Sequence, residues 1–94
     1  MVIGVCTIKL DIPGNRSLKG KRRVVKSIIR RLCNEFNVSI AEVDNSDLWQ
    51  SATLGIACVS NQASYAHGLL TKVVERIENS RFDVRVVDYT IEII

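Results

Sequence analysis

Residues 2–36 read VIGVCTIKLDI-PGN-RSLKGKRRVVKSIIRRLCNEF, and the period of their apolar residues changes once along the way. Cys6, Ile8, Leu10 and Ile12 recur at every second residue, which puts them on one face of a strand over 2–12 with Val5, Thr7, Lys9 and Asp11 on the other. Pro13-Gly14-Asn15 stops that alternation. Beyond it Val25, Ile28, Ile29, Leu32 and Phe36 follow the i, i+3, i+4, i+7 spacing of one helical face. A helix over 18–36 with Ser17 as its N-cap is therefore predicted.

After this β-α unit the same two periods alternate again. Asn37 to Asp44 is short and rich in β-branched residues, and its inward face flips from Val38 and Ile40 to Ala41 and Val43, which predicts a bulged edge strand. Ala52, Leu54, Ile56 and Cys58 mark one face of a third strand, and Thr53, Gly55, Ala57 and Val59 line the other with small groups, as in a central strand. Asn61 is a candidate cap for a second helix carrying Ala66, Leu69, Leu70, Val73 and Ile77, with Gly68 lowering local propensity and an end near Asn79-Ser80. Residues 82–94 read as a closing strand, with Val84 and Val86 on one face and Val87, Tyr89 and Ile91 on the other.

The order β-α-β-β-α-β, with two helices that need a sheet to bury their stripes, gives an α+β class. The expected architecture is a ferredoxin-like βαββαβ sandwich: a four-stranded antiparallel sheet with two helices on one face. At 94 residues the chain has room for one such domain, 1–94. The sheet face left bare would carry Val5, Thr53, Gly55, Ala57, Val59, Val87, Tyr89 and Ile91, and a homo-oligomer or a bound partner would cover it. Val5, Thr53, Gly55, Ala57 and Tyr89 are the candidate oligomer interface.

With 47% hydrophobic residues, 24% charged and one proline, the composition suits a packed core and excludes a disordered chain. The apolar N-terminus alternates, carries Lys9 and Asp11 and lacks a basic leader, so it reads as a strand and not as a signal peptide. No run approaches the roughly 20 apolar residues of a membrane span. A cytoplasmic protein without a membrane partner is expected. Cys6, Cys33 and Cys58 are odd in number, far apart and set in apolar segments, which predicts buried thiols with no disulfide, zinc site or other cofactor.

Charge is distributed unevenly. Between Ile12 and Asn34 there is no acid, while Arg16, Lys19, Lys21, Arg22, Arg23, Lys26, Arg30 and Arg31 supply eight bases. At roughly 100° per residue, Lys19, Arg23, Lys26 and Arg30 share one stripe beside the buried face. Lys19 to Arg23 also crowd a helix start, where positive side chains oppose the macrodipole, and an anion would compensate. Arg16, Lys19, Lys21, Arg22, Arg23, Lys26 and Arg30 are thus the candidate nucleic-acid-binding residues; a solvated helix face is the plainer reading. The helix carries few aromatic or amide side chains, so binding would be to backbone or to shaped RNA and not to base edges.

Glu42 to Gln50 holds three carboxylates and the only tryptophan. Its spacing matches no calcium loop, and no nucleophile or phosphate-cradling loop accompanies it, so a turn with Asx caps and Trp49 packed as a lid on the core edge is expected. His67 falls off the apolar stripe of its helix and reads as solvated. No catalytic residue is assigned, and a non-enzymatic protein is expected.

Ser17-Leu-Lys19, Lys21-Arg-Arg23, Phe36-Asn-Val-Ser, Ala41-Glu-Val-Asp44, Asp47-Leu-Trp-Gln50, Ala52-Thr-Leu-Gly55, Val59-Ser-Asn61 and Val87-Asp-Tyr89 together resemble the YlxP-like family of small bacterial proteins of unknown function. The resemblance covers nearly the whole chain and implies a ferredoxin-like fold. Members of that family are often encoded near translation-initiation and ribosome-maturation factors, so it implies rRNA or a ribosomal particle as partner. It offers no catalytic residues to carry over. Where the family commonly has a charged residue between the lysines of the first helix, this chain has Gly20, which leaves the first turn less helical.

Overall fold

Alternation in the first segment becomes strand β1, Val2–Asp11, and the switch to helical spacing becomes α1, Leu18–Glu35. The Ser17 hydroxyl accepts from the Gly20 N–H at 2.9 Å and caps α1. β2 (Ser39–Asp44), β3 (Ser51–Ser60), α2 (Ala63–Glu78) and β4 (Arg85–Ile93) follow in a computed structural model that describes residues 1–94. The sheet order is β2-β3-β1-β4 with every neighbouring pair antiparallel. This is the ferredoxin-like βαββαβ sandwich.

Residues directly opposite in an antiparallel pair project to the same side. Cys6 faces Ile56, Ile8 faces Leu54 and Leu10 faces Ala52, so the two central strands present one apolar surface. Val25, Ile28 and Leu32 of α1 and Ala66, Leu70, Val73, Val74 and Ile77 of α2 close over it in one core cluster. Each fully buried Leu or Ile there contributes about 1.5–3 kcal/mol relative to exposure. α2 comes closest at Gly4, where a Cβ would stand 2.9 Å from Leu70 Cδ1 and 3.0 Å from Cys58 Sγ. Nothing lies within 4 Å of the corresponding position at Gly68.

β2 is an edge strand with a register shift between Glu42 and Asp44, as the flip in its pattern predicts. Four expectations are corrected. α2 is capped from Gln62, which makes no side-chain cap bond, and not from Asn61; the Ser60 hydroxyl takes the Gln62 N–H instead. In β4 a shift beside Leu10 leaves Val87 unpaired, so that Tyr89 lies opposite Ile8 and Ile91 opposite Cys6. Both therefore lean to the helix-covered face, and Tyr89 leaves the set of open-face residues. A bulge reverses inside and outside for everything beyond it, and pattern alone did not locate this one. The third correction concerns Cys33, which is exposed at the end of α1 while Cys6 and Cys58 are buried.

The open face is also more polar than expected. Its rows run Ser39–Ala57–Val5–Glu92, Ala41–Gly55–Thr7–Thr90 and Asp44–Thr53–Lys9–Asp88. Val43 covers Gly55, with Cγ1 2.9 Å from where a Cβ would stand, and Thr53 is buried. No helix is long and apolar enough to cross a membrane.

Candidate nucleic-acid interface

Lys21 repeats at i, i+4, i+7 and i+11 with Val25, Ile28 and Leu32, so the helix carries it inward with them. It is fully buried, and its Nζ stands 2.9 Å from Glu42 Oε2 on the inward side of β2. Nζ also donates to the Asn45 carbonyl. Glu42 Oε2 is itself buried and receives no hydrogen bond from any other group, so the ammonium is its only compensation. This pair locks α1 onto the sheet edge. Lys21 is thereby removed from the candidate nucleic-acid-binding residues: its charge is neutralised inside the fold.

The other six are placed differently. Arg16, Lys19, Arg22, Arg23, Lys26 and Arg30 are all exposed, and none takes part in the three ion pairs of the molecule. With Val25, Ile28 and Leu32 facing the sheet, the stripe of Lys19, Arg23, Lys26 and Arg30 falls on the opposite side of the helix, not beside the buried face, because its positions are roughly half a turn away at about 100° per residue. Lys19, Arg22, Arg23 and Lys26 rim an open groove of about 560 Å³ whose walls include Val25, Ile29 and Glu42, the last already paired with Lys21. Arg31 lies over the Phe82 ring, 5.8 Å from its centroid, and is held there.

At the start of α1 two connections are sewn together. Asn15 Nδ2 donates to the Ser17 carbonyl at 2.8 Å and to the Trp49 carbonyl at 2.6 Å, and Gln50 Nε2 donates to the Asn15 carbonyl at 3.0 Å. Gly20 is what admits this latch, since a Cβ there would lie 2.4 Å from Asn15 Oδ1. Asn45, at φ 61, turns its carbonyl toward Lys21 and donates from Nδ2 to Thr53 Oγ1 at 3.0 Å. Asp44 Oδ1 accepts from the Asn45 N–H at 2.8 Å, a bond to the next residue and not the Asx cap that the sequence predicts. Trp49 is not a lid on the core: it is 54% exposed beside Leu48 at 47%, because the latch holds its backbone and leaves its ring outside.

At the far end of α1, Glu35 receives both Nε and Nη2 of Arg76 at 2.7 and 2.9 Å, which ties α1 to α2. Those hydrogen bonds hold the Glu35 carboxyl below its usual value, with the Arg31 charge a lesser cause. Burial pushes the Cys6 thiol up to about 11, so it is inert at neutral pH. His67 is exposed on α2, Asp44 is exposed at the end of β2 and Asp47 is exposed in the β2–β3 connection. Sequence reasoning found the basic face but missed the Lys21–Glu42 pair and the Asn15 latch. The signal for the first was present, a lysine in register with three core aliphatics; the latch joins residues 34 apart and left none.

The family model described as "Protein of unknown function (DUF503)" matches residues 3–91. The uncharacterized protein YlxP of Bacillus subtilis (strain 168) is 38% identical over 78 residues, covering 83% of this chain and 85% of the relative. Among solved structures, a de novo designed protein with ferredoxin fold, determined by solution NMR, aligns with all of this chain and 84% of its own at a TM-score of 0.50 and 18% identity, a likeness of fold alone.

Proposed function

The chain belongs to the DUF503 family of proteins of unknown function, and we propose on that premise that it is a non-enzymatic accessory factor that binds RNA or a ribosomal particle through the outward face of α1. One observation carries the reading: Lys19, Arg22, Arg23, Lys26 and Arg30 stand exposed on α1, and Arg16 just before it, with no carboxylate paired to any of them. Such a row repels itself and opposes the helix dipole, and a polyanion relieves both. Phosphates fit the guanidinium and ammonium groups, and the release of condensed counterions drives the association. The contacts are side chains more than the helix terminus, because the Gly20 N–H is already taken by Ser17.

Arg23→Glu combined with Lys26→Glu is expected to abolish retention of an rRNA fragment in a filter assay at 50 mM salt while leaving the melting temperature within a few degrees. Unchanged retention by the folded variant would overturn the reading. A homodimer across the open sheet face is the second reading, favoured by the exposure of Val59 at 65% and Val43 at 59%. It predicts a dimer by light scattering whose stability is indifferent to salt and is lost in Ala57→Glu, a residue partly exposed in the middle of that face.

A further inference from the structure

The exposed tryptophan and the basic face meet at one end of the molecule. Trp49 is the only tryptophan, half its surface is in solvent, and Leu48 beside it is nearly as exposed. Its backbone is not loose: Asn15 grips the Trp49 carbonyl at 2.6 Å, and the next residue, Gln50, bonds back to Asn15 and accepts from the Ile12 N–H at 2.9 Å. Asn15 immediately precedes Arg16, and the same side chain holds Ser17, so the Trp49 backbone is anchored beside the segment that leads into α1, where Arg16, Lys19 and Arg22 are exposed. A hollow of about 560 Å³ lies against Trp49, Leu48 and Pro13, with Asp11, itself paired with Arg85, in its wall.

A flat indole of this size left in water on a fixed backbone loses hydrophobic free energy that a stacked planar group would recover. Cations next to it specify that the planar group comes with phosphates. Asp44, at the end of β2, and Asp47, in the connection that follows, are exposed and without a cation partner and offer phosphate nothing. Attraction for a sugar-phosphate backbone therefore comes from the α1 side, with a base left to reach the ring. A duplex cannot use this arrangement, since its bases are already stacked; an unpaired strand can.

We propose that Trp49 is a base-stacking platform and that the basic face takes single-stranded RNA, with an unpaired base on the indole and the adjoining phosphates on Arg16, Lys19 and Arg22. This rests on the nucleic-acid reading above and deepens it.

The test uses the full chain with a 12-nucleotide oligouridylate and a 12-base-pair RNA duplex at 50 mM salt, following Trp49 fluorescence and, separately, the polarisation of labelled RNA. The oligouridylate is expected to quench Trp49, and Trp49→Ala to weaken its binding roughly ten- to a hundredfold, with Trp49→Phe keeping most of the affinity. Duplex binding is expected to be unaffected by either substitution. Melting curves establish that the variants are folded, as the exposure of the ring predicts. If Trp49→Ala binds the oligouridylate as the parent does while Arg23→Glu/Lys26→Glu does not bind, stacking is overturned and the basic-face reading stands. If no RNA binds the parent, both fall. Loss of self-association in Trp49→Ala with RNA binding intact assigns the ring to a protein contact and overturns the inference.

Discussion

The two helices lie on one sheet, bury similar aliphatic stripes and differ in what they do with charge. α2 carries two cations and two carboxylates, and packs tightly enough on β1 that Gly4 has no room for a Cβ. α1 carries seven cations and one carboxylate over a similar length. One of those cations is buried against Glu42 and one lies over Phe82; the rest are exposed and unpaired. A helix that exists only to cover a sheet has no use for such an excess, which costs self-repulsion and an unfavourable dipole interaction at its start. The contrast separates the structural helix from the one that presents a surface.

The sharpest way to break that comparison is at Lys21, which sits on the presenting helix but does structural work. Lys21→Ala leaves Glu42 buried without its partner and is expected to lower stability by about 3 kcal/mol, measured by urea denaturation. Lys19→Ala and Lys26→Ala should each stay within about 0.5 kcal/mol of the parent. Lys21→Met with Glu42→Leu should recover most of the loss, because apolar groups of similar size can replace a buried pair. If Lys21→Ala proves neutral, the pair does not lock α1 to the sheet.

On α2, Gly4→Ala forces a methyl between β1 and Leu70 and is expected to cost about 1–3 kcal/mol. Gly68→Ala has open space and should stabilise by about 0.5–1 kcal/mol through helix propensity. Both are read from thermal or urea unfolding, and equal effects of the two would contradict the tight packing described at Gly4.

Cysteine chemistry marks the same inside and outside. Cys33 should react with a thiol reagent at once at pH 8, and Cys6 and Cys58 only on unfolding. Because burial raises the folded Cys6 thiol from its ordinary 9.0 to about 11, its contribution to stability is complete below pH 9 and is lost as pH rises from 9 toward 11. Cys6→Ala should flatten that alkaline decline, though it also leaves a small cavity. The smallest effect is expected at Glu35. Its carboxyl is lowered from its ordinary 4.5 by the hydrogen bonds from Arg76, so the stability this pair gives is present above pH 4.5 and fades as pH falls through the lowered value. Arg76→Ala should therefore reduce stability slightly at neutral pH and remove part of the acid-side slope.

Much of the fold was legible because its signals are local. The change of period at Pro13-Gly14-Asn15, the Ser17 cap and the alternation in Ala52–Cys58 each specify an element without reference to the rest. Tyr89 and Ile91 were misassigned because a bulge at Val87 reverses the faces, and the bulge is set by pairing with β1 and not by the sequence around it. The basic face was legible as composition. That Lys21 is not free could have been read from its register with Val25, Ile28 and Leu32, but its partner Glu42, 21 positions later, could not. Trp49 was read inward from its size, whereas the Asn15 latch, a contact between two distant connections, holds it outward.

The most direct test of the account is the salt dependence of RNA binding. With six free cations on one face and roughly 0.7 counterions released per single-strand phosphate neutralised, the logarithm of the association constant should fall against the logarithm of salt concentration with a slope of about −4. Arg23→Glu/Lys26→Glu should reduce that slope along with the affinity. A slope near zero, or no measurable RNA binding at 50 mM salt, would contradict the claim that these cations are there for phosphate.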